Sequence, residues 1–274
     1  MSAKQQHLTT RAAEQQETMA FEFNGKRVVV TGASSGIGRA TALRLADYGA
    51  SVLAVGRDQV KLEEVFSQAR ALTGEVVTFA ADLTDPESIA VVAQQARQWG
   101  DIAGLVNAAG GLAERVDYRR PAEFARQNST AEIFDYTFAL NTRAPALMSY
   151  ALQEELRASG QGAIVNVSSS AALTAPALAP YYSASKAALA TLTRSLAKQF
   201  SPDIRVNTVT PGHTDTPGFA SDPAINAAEA QKSLLGQRIG RVDEVVAPIP
   251  FLLDPASSGW ITGSDITVNG GATA

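Results

Sequence analysis

The chain has no cysteine, which removes disulfides, thiolate metal sites and a thiol nucleophile from consideration. Histidine is nearly as scarce: His7 and His213 are the two present, too few to build a catalytic zinc centre. Positive charge is not in excess. With 23 Lys and Arg against 27 Asp and Glu, the net charge is −4, and the basic footprint of a nucleic-acid binder is missing. The longest apolar stretch, Val245 to Leu253, is interrupted by Pro248 and Pro250 and is too short to span a bilayer. Also lacking are an internal repeat and a Pro/Gly/Ser linker that would divide the chain. What remains is 274 residues of ordinary globular composition, 45% hydrophobic and 18% charged. A chain of this length can bury roughly 70–75% of its unfolded surface, so one large domain is expected over residues 21–274. Residues 1–20 are rich in Gln, Thr and Ala, carry Glu14 and Glu17 and have no apolar core, which argues against a targeting peptide. They read as a flexible tail, or as a short helix that packs on a neighbouring subunit.

From Phe23 onward, short β-rich apolar runs alternate with longer amphipathic stretches. Strands are expected at Arg27–Thr31, Ser51–Val55, Glu75–Ala80, Ile102–Val106, Ala163–Ser168, Arg205–Thr210 and Asp265–Val268. Helical patterns lie between them at Gly36–Tyr48, Asp58–Leu72, Pro86–Trp99, a long stretch ending near Arg157, Tyr181–Phe200 and Val242–Leu253. This alternation predicts an α/β fold: a doubly wound, Rossmann-like parallel sheet of about seven strands with helices on both faces.

The first strand runs directly into TGASSGIG, so Gly32, Gly36 and Gly38 fall at the turn and at the opening of the next helix. Glycines there let the backbone approach a pyrophosphate, and the free N–H groups and dipole of the helix start favour negative charge. A structural turn would use the same residues, but the strand before and the helix after are the context a phosphate cradle needs. Later in the chain, Tyr182 and Lys186 stand four residues apart in a helical stretch and so share one face. A phenol's pKa near 10 makes it a poor acid–base at neutral pH; a neighbouring cation favours the phenolate. Thirteen residues before Tyr182 comes Ser169, at the end of the strand AIVNVSS.

These residues resemble the tyrosine-dependent short-chain dehydrogenase/reductase family, in its 3-oxoacyl reductase-like branch, over residues 23–274. The family's TGxxxGxG motif is met by Thr31–Gly38, which makes Gly32, Ser34, Ser35, Gly36, Ile37 and Gly38 the expected phosphate loop. Asp82 and Leu83 resemble the adenine contact, and Asn107-Ala108-Ala109-Gly110 the NAG motif that braces the sheet and lines the cofactor. The resemblance implies a catalytic set of Asn141, Ser169, Tyr182 and Lys186. Tyr182 would move the proton, Ser169 would donate to the substrate oxygen, and Lys186 would lower the phenol pKa and hold the ribose. Asn141 would hold a water linking Lys186 to solvent, or simply cap or kink its helix. Ser168 and Ser170 compete with Ser169, with strand-end and turn capping as their bland roles. Tyr181 has Ser185 rather than Lys four residues on, and is expected to pack or to line the cleft. Pro211, Gly212, Thr214 and Thr216 match the PG motif that grips the carboxamide, and Pro217–Gly240 resembles a substrate lid. His213, beside that grip, could touch ligand or stand by.

Cofactor choice is read after the second strand, at Gly56-Arg57-Asp58. An acid would accept from a ribose 2′-OH; Arg57 instead looks like a clamp for a 2′-phosphate, which favours NADP, with NAD possible. Asp58 reads as the cap of the next helix. A solvated charge is the competing role for Arg57, and Ser34 and Ser35 stand where relatives that prefer NADP often carry a second basic residue. The segment between Gly110 and Asn141, with Arg115, Asp117, Tyr118, Arg119 and Arg120, is either a substrate gate or a solvated loop. The expected protein is therefore a cytoplasmic NADP-dependent oxidoreductase acting on a small carbonyl or alcohol, a homo-oligomer (tetramer) by resemblance. No nucleic acid, membrane or metal is expected. The rival readings are a carrier-dependent 3-oxoacyl reductase and a dinucleotide-binding sensor without catalysis.

Overall fold

The computed structural model describes residues 21–111, 131–176, 179–217 and 223–274. The N-terminal tail and the charged part of the 111–135 segment lie outside these residues.

Seven strands form one parallel sheet: β1 (Arg27–Thr31), β2 (Ser51–Gly56), β3 (Glu75–Ala80), β4 (Gly104–Asn107), β5 (Ala163–Val167), β6 (Arg205–Pro211) and β7 (Asp265–Val268), in the order β3-β2-β1-β4-β5-β6-β7. Helices α1 (Gly36–Asp47), α2 (Gln59–Ala69) and α3 (Pro86–Trp99) make the first crossovers. The central strands read as continuous apolar runs because both sheet faces are covered. Within β1 and β2, Val28, Val30, Val52 and Ala54 join one core with Leu45 and Ala46 of α1, while Val29, Leu53 and Val55 join the other with Ile89, Met148 and Phe200. The period of two thus sorts the same strands into two cores.

Helix starts follow the expected chemistry. Asp58 caps α2 by accepting from Lys61 N–H at 3.1 Å, and Asp85 caps α3 with Pro86 in the first turn. The long helix expected to end near Arg157 is not continuous. It consists of α4 (Ala131–Phe138), a π-turn at Ala139–Arg143, α5 (Ala144–Ala151) and, after a break at Leu152, α6 (Gln153–Ala158). The wide turn falls on Asn141, whose side chain is drawn to neighbouring backbone, and Pro145 restarts the helix. The expected helix Val242–Leu253 is likewise split, into α10 (Val242–Val246) and α11 (Pro248–Leu253), because Pro248 and Pro250 offer no N–H to continue the ladder. Before them come α7 (Ala171–Thr174), α8 (Pro180–Phe200) and α9 (Pro223–Lys232).

The chain winds outward from β1 through β2 to β3, then crosses to β4 on the other side of β1. The loops leaving β1 and β4 therefore diverge, opening a crevice at the carboxyl ends of the strands, where ligands bind in such sheets.

Candidate active site

The crevice floor begins with the glycine loop. A Cβ on Gly32 would lie 2.6 Å from the Ala109 nitrogen, and one on Gly38 would lie 2.3 Å from the Gly32 oxygen, so these two glycines serve close backbone packing. Gly36 has φ +52° and faces Thr216 across an ordinary van der Waals gap. Ser35 precedes α1 in extended geometry, and its side chain makes no cap bond. The first N–H groups of α1, near Ser34, Gly36 and Ile37, thus lie at the crevice as an anion would require, and the loop fits a dinucleotide pyrophosphate.

The β4 end supports this loop. Thr31 Oγ1 accepts from the Ala109 N–H at 3.1 Å, and Asn107 donates to Asn166 Oδ1 on β5 at 2.9 Å. Ala108 and Gly110 complete the turn. At β3, Asp82 is exposed and uses Oδ1 to accept from the Thr84 N–H and hydroxyl, both at 2.9 Å. Leu83 is buried beside Ile89 and Val92.

Tyr182 lies in the first turn of α8, and Lys186 follows one turn later with its ammonium 5.9 Å from the Tyr182 ring centre. Both are buried, Lys186 to 4% exposure. The Lys186 ammonium donates to the Val167 carbonyl at 2.8 Å, which ties it to the end of β5 two residues before Ser169. Loss of hydration pushes Lys186 down from 10.5 to about 8. The ammonium and Asn141 Oδ1 both crowd Gly110: a Cβ placed on that glycine would lie 2.8 Å from the first and 3.0 Å from the second.

The three serines separate clearly. Ser168 donates its hydroxyl to the Lys186 carbonyl at 3.2 Å and is buried there. Ser170 gives its N–H to the Pro211 carbonyl at 2.8 Å and precedes α7. Ser169 is half-buried, and its Oγ accepts from the Ala171 N–H at 3.2 Å, which leaves the hydroxyl hydrogen to donate elsewhere.

Asn141 is fully buried in the π-turn. Its amide donates to the Gly111 carbonyl and to Ser185 Oγ, both at 3.0 Å, while Oδ1 accepts from the Gly111 N–H at 2.9 Å. Ser185 passes the connection on to the Tyr182 carbonyl at 2.7 Å. Asn141 therefore clasps the β4 loop and α8 together, a role its sequence position did not disclose.

On the far side, Gly212 approaches Asn269 so closely that a Cβ would lie 2.7 Å away. Thr214 is buried and gives its hydroxyl to the Gly212 carbonyl at 2.9 Å, whereas Thr216 faces Gly36. Of the two threonines expected at the carboxamide, Thr216 is the one turned to the crevice. His213 Nε2 lies 2.8 Å from Asn226 Oδ1 and so links the loop after β6 to α9. Arg57 is exposed at the end of β2 and donates to the Tyr136 hydroxyl at 2.5 Å. Tyr181 packs edge-on against Phe134 at 5.4 Å. Sequence reasoning missed Tyr136, which carries no motif.

Fold and site together describe a nucleotide-dependent oxidoreductase scaffold, and comparison with known proteins agrees. The family model for short chain dehydrogenase matches residues 26–225, and the chain belongs to this family. It is 37% identical over 259 residues to the cis-4-hydroxycyclohexanecarboxylate dehydrogenase of Sinomonas cyclohexanicum, covering 93% of this chain and 100% of that one. A short chain dehydrogenase of Burkholderia cenocepacia, solved in complex with NADP, superposes with a TM-score of 0.81 at 32% identity, covering 92% of this chain and 100% of that one. An NADH-dependent reductase responsible for alginate metabolism superposes at 0.79 with 31% identity, covering 92% of this chain and 98% of that one. No described helix is long and apolar enough to cross a membrane.

Proposed function

We propose that this protein is an NADP-dependent oxidoreductase that interconverts a small carbonyl compound and its secondary alcohol, with Tyr182 as the proton donor and acceptor. The observation that carries the reading is the buried Lys186 ammonium one turn beyond Tyr182, held against the end of β5 next to Ser169. Bound nicotinamide dinucleotide would supply or take the hydride.

In reduction, Tyr182 Oη gives its proton to the carbonyl oxygen as the alcohol forms; in oxidation the phenolate takes the proton back. Ser169 donates to the same oxygen and polarises it. With its pKa near 8, Lys186 remains mostly protonated at pH 7, so a positive charge stands beside the phenol and favours its ionised form. Asn141 would hold the water that carries protons between Lys186 and solvent. The glycine loop, Asp82, the Asn107–Gly110 turn and the Pro211–Thr216 loop would hold the dinucleotide, Thr216 being the residue for the carboxamide. Arg57 would take the 2′-phosphate: it is exposed, follows the Gly56 that approaches Ser34 of the glycine loop, and Gly56 offers no acid to a ribose 2′-OH. The homotetramer and cytoplasmic location implied by the resemblance belong to this proposal, and light scattering on the purified protein reads the first.

Carrier docking is disfavoured. Arg157 is paired with both Asp203 at 2.9 Å and Glu154 at 2.7 Å, so among the described residues it offers no free cation to an acidic carrier there. A panel of ketones and alcohols assayed with NADP and NAD tests the reading. Tyr182→Phe should retain cofactor binding and lose at least about 1,000-fold in turnover, within the range that proton transfer supplies. Full turnover by that variant, or a clear preference for NAD in the wild type, would overturn the corresponding part.

A further inference from the structure

We propose that Tyr136 is the positioning residue for Arg57 and thereby sets the preference for a 2′-phosphorylated cofactor; the inference rests on the reading of Arg57 given above. Arg57 and Tyr136 are 79 residues apart, yet the guanidinium Nη1 meets the phenol oxygen at 2.5 Å. Among the described residues Arg57 has no carboxylate partner. The adjacent acid, Asp58, is committed to the Lys61 N–H at 3.1 Å and to the Lys61 ammonium at 3.2 Å.

The chemistry of the partner matters. A carboxylate would fix the guanidinium and cancel its charge, whereas a phenol fixes it and leaves the full charge for an anion. Because Tyr136 Oη accepts from Arg57, its own hydrogen remains to donate outward. Without that contact, an exposed arginine would sample many rotamers and lose that freedom on binding.

The helix that carries Tyr136 is itself held in place. Its neighbours Phe134 and Phe138 stack on one another at 4.4 Å, and Phe134 meets Tyr181 of α8 edge-on at 5.4 Å. Thr137 is buried, and α4 continues directly into the π-turn that carries Asn141. One short helix thus reaches from the end of β2 to the residue before Tyr182. Gly56 adds a steric restriction on the alternative cofactor site: any Cβ there would lie 3.0 Å from Ser34 Oγ, so an acidic side chain at that position would require Ser34 to move.

The test is calorimetric titration with 2′,5′-ADP and with 5′-AMP, probes that differ by the 2′-phosphate alone. Wild type, Tyr136→Phe, Arg57→Ala and the double variant are compared. Tyr136→Phe keeps the ring and its packing, and should weaken 2′,5′-ADP by about 10-fold, the effect of roughly one charge-assisted hydrogen bond. Binding of 5′-AMP should stay within about twofold, a split that a merely structural defect would not produce. In the Arg57→Ala background, Tyr136→Phe should change neither ligand further. If Arg57→Ala loses the preference for 2′,5′-ADP while Tyr136→Phe retains it, the positioning role is wrong and the Arg57 reading survives. If Arg57→Ala leaves the preference intact, both fall together.

Discussion

Two buried polar clusters lie side by side at the carboxyl ends of the central strands, and they are furnished in opposite ways. In the first, Asn107 donates to Asn166 Oδ1 at 2.9 Å, and Asn166 donates to Thr193 Oγ1 at 2.9 Å. Thr193 Oγ1 also accepts from Thr208 at 2.9 Å and donates to the Leu189 carbonyl at 3.0 Å, which fills the capacity of that hydroxyl. Every member is neutral, and the chain of bonds crosses β4, β5, α8 and β6. In the second cluster a whole positive charge is enclosed. Lys186 has three N–H donors, and among the described residues one acceptor, the Val167 carbonyl, meets them. The difference separates two purposes. A neutral network with its bonds made holds strands and helix in register at little net cost, whereas an enclosed ammonium with one partner destabilises the fold, and the proton chemistry proposed for Tyr182 would be the reason to keep it.

Substitutions in each cluster should therefore move different quantities. Lys186→Met keeps the volume and removes the charge; turnover should fall by about 100- to 1,000-fold, measured with the best substrate and saturating cofactor. Retention of more than about a tenth of the activity would break the contrast. Asn166→Ala strips Asn107 and Thr193 of partners in the interior and should cost about 2–4 kcal/mol in urea unfolding, with turnover per folded molecule far less affected. A loss below about 0.5 kcal/mol would show that water replaces the amide freely. Gly110→Ala sharpens the comparison, because its methyl would sit 2.8 Å from the Lys186 ammonium and 3.0 Å from Asn141 Oδ1. Turnover should fall about tenfold, equivalent to 1.4 kcal/mol in the barrier, while stability changes by about 1 kcal/mol or less.

Much of the fold was readable before any coordinates, but of the first cluster only Asn107 was, because its bonds to Asn166, Thr193 and Thr208 join distant segments. Alternating apolar runs placed all seven strands, and Thr31–Gly38 marked the phosphate loop because glycine spacing and strand–helix context are both local. Tyr182 and Lys186 were visible through the one-turn spacing of a helix. Contacts between distant segments were not visible. The π-turn at Asn141 depends on Gly111 and Ser185, and Tyr136 joins Arg57 only after β2 and α4 are packed. Alternation along a strand could not separate Ser168, Ser169 and Ser170, because their partners lie on α8, α7 and β6. Thr214 and Thr216 have the same parity and differ only in what faces them.

Lys186 is a cation enclosed at the expense of stability. Its folded value, about 8, lies below the ordinary 10.5, so the charged form is the disfavoured one. The cost is full below about pH 8, declines as the pH rises from there toward 10.5 and is absent above it; in kcal/mol it is about 3, from the two values at 1.36 kcal/mol per pH unit. Replacement by methionine removes that cost but also the bond to Val167, worth about 1 kcal/mol or more. Thermal melts of wild type and Lys186→Met, run side by side at pH 7 and at pH 10.5, measure this directly. The variant should melt higher at pH 7 by several degrees, at about 2–4 °C per kcal/mol for a chain of this size, and the advantage should vanish at pH 10.5. A variant that melts lower at pH 7, or whose margin over the wild type does not change with pH, would contradict the claim.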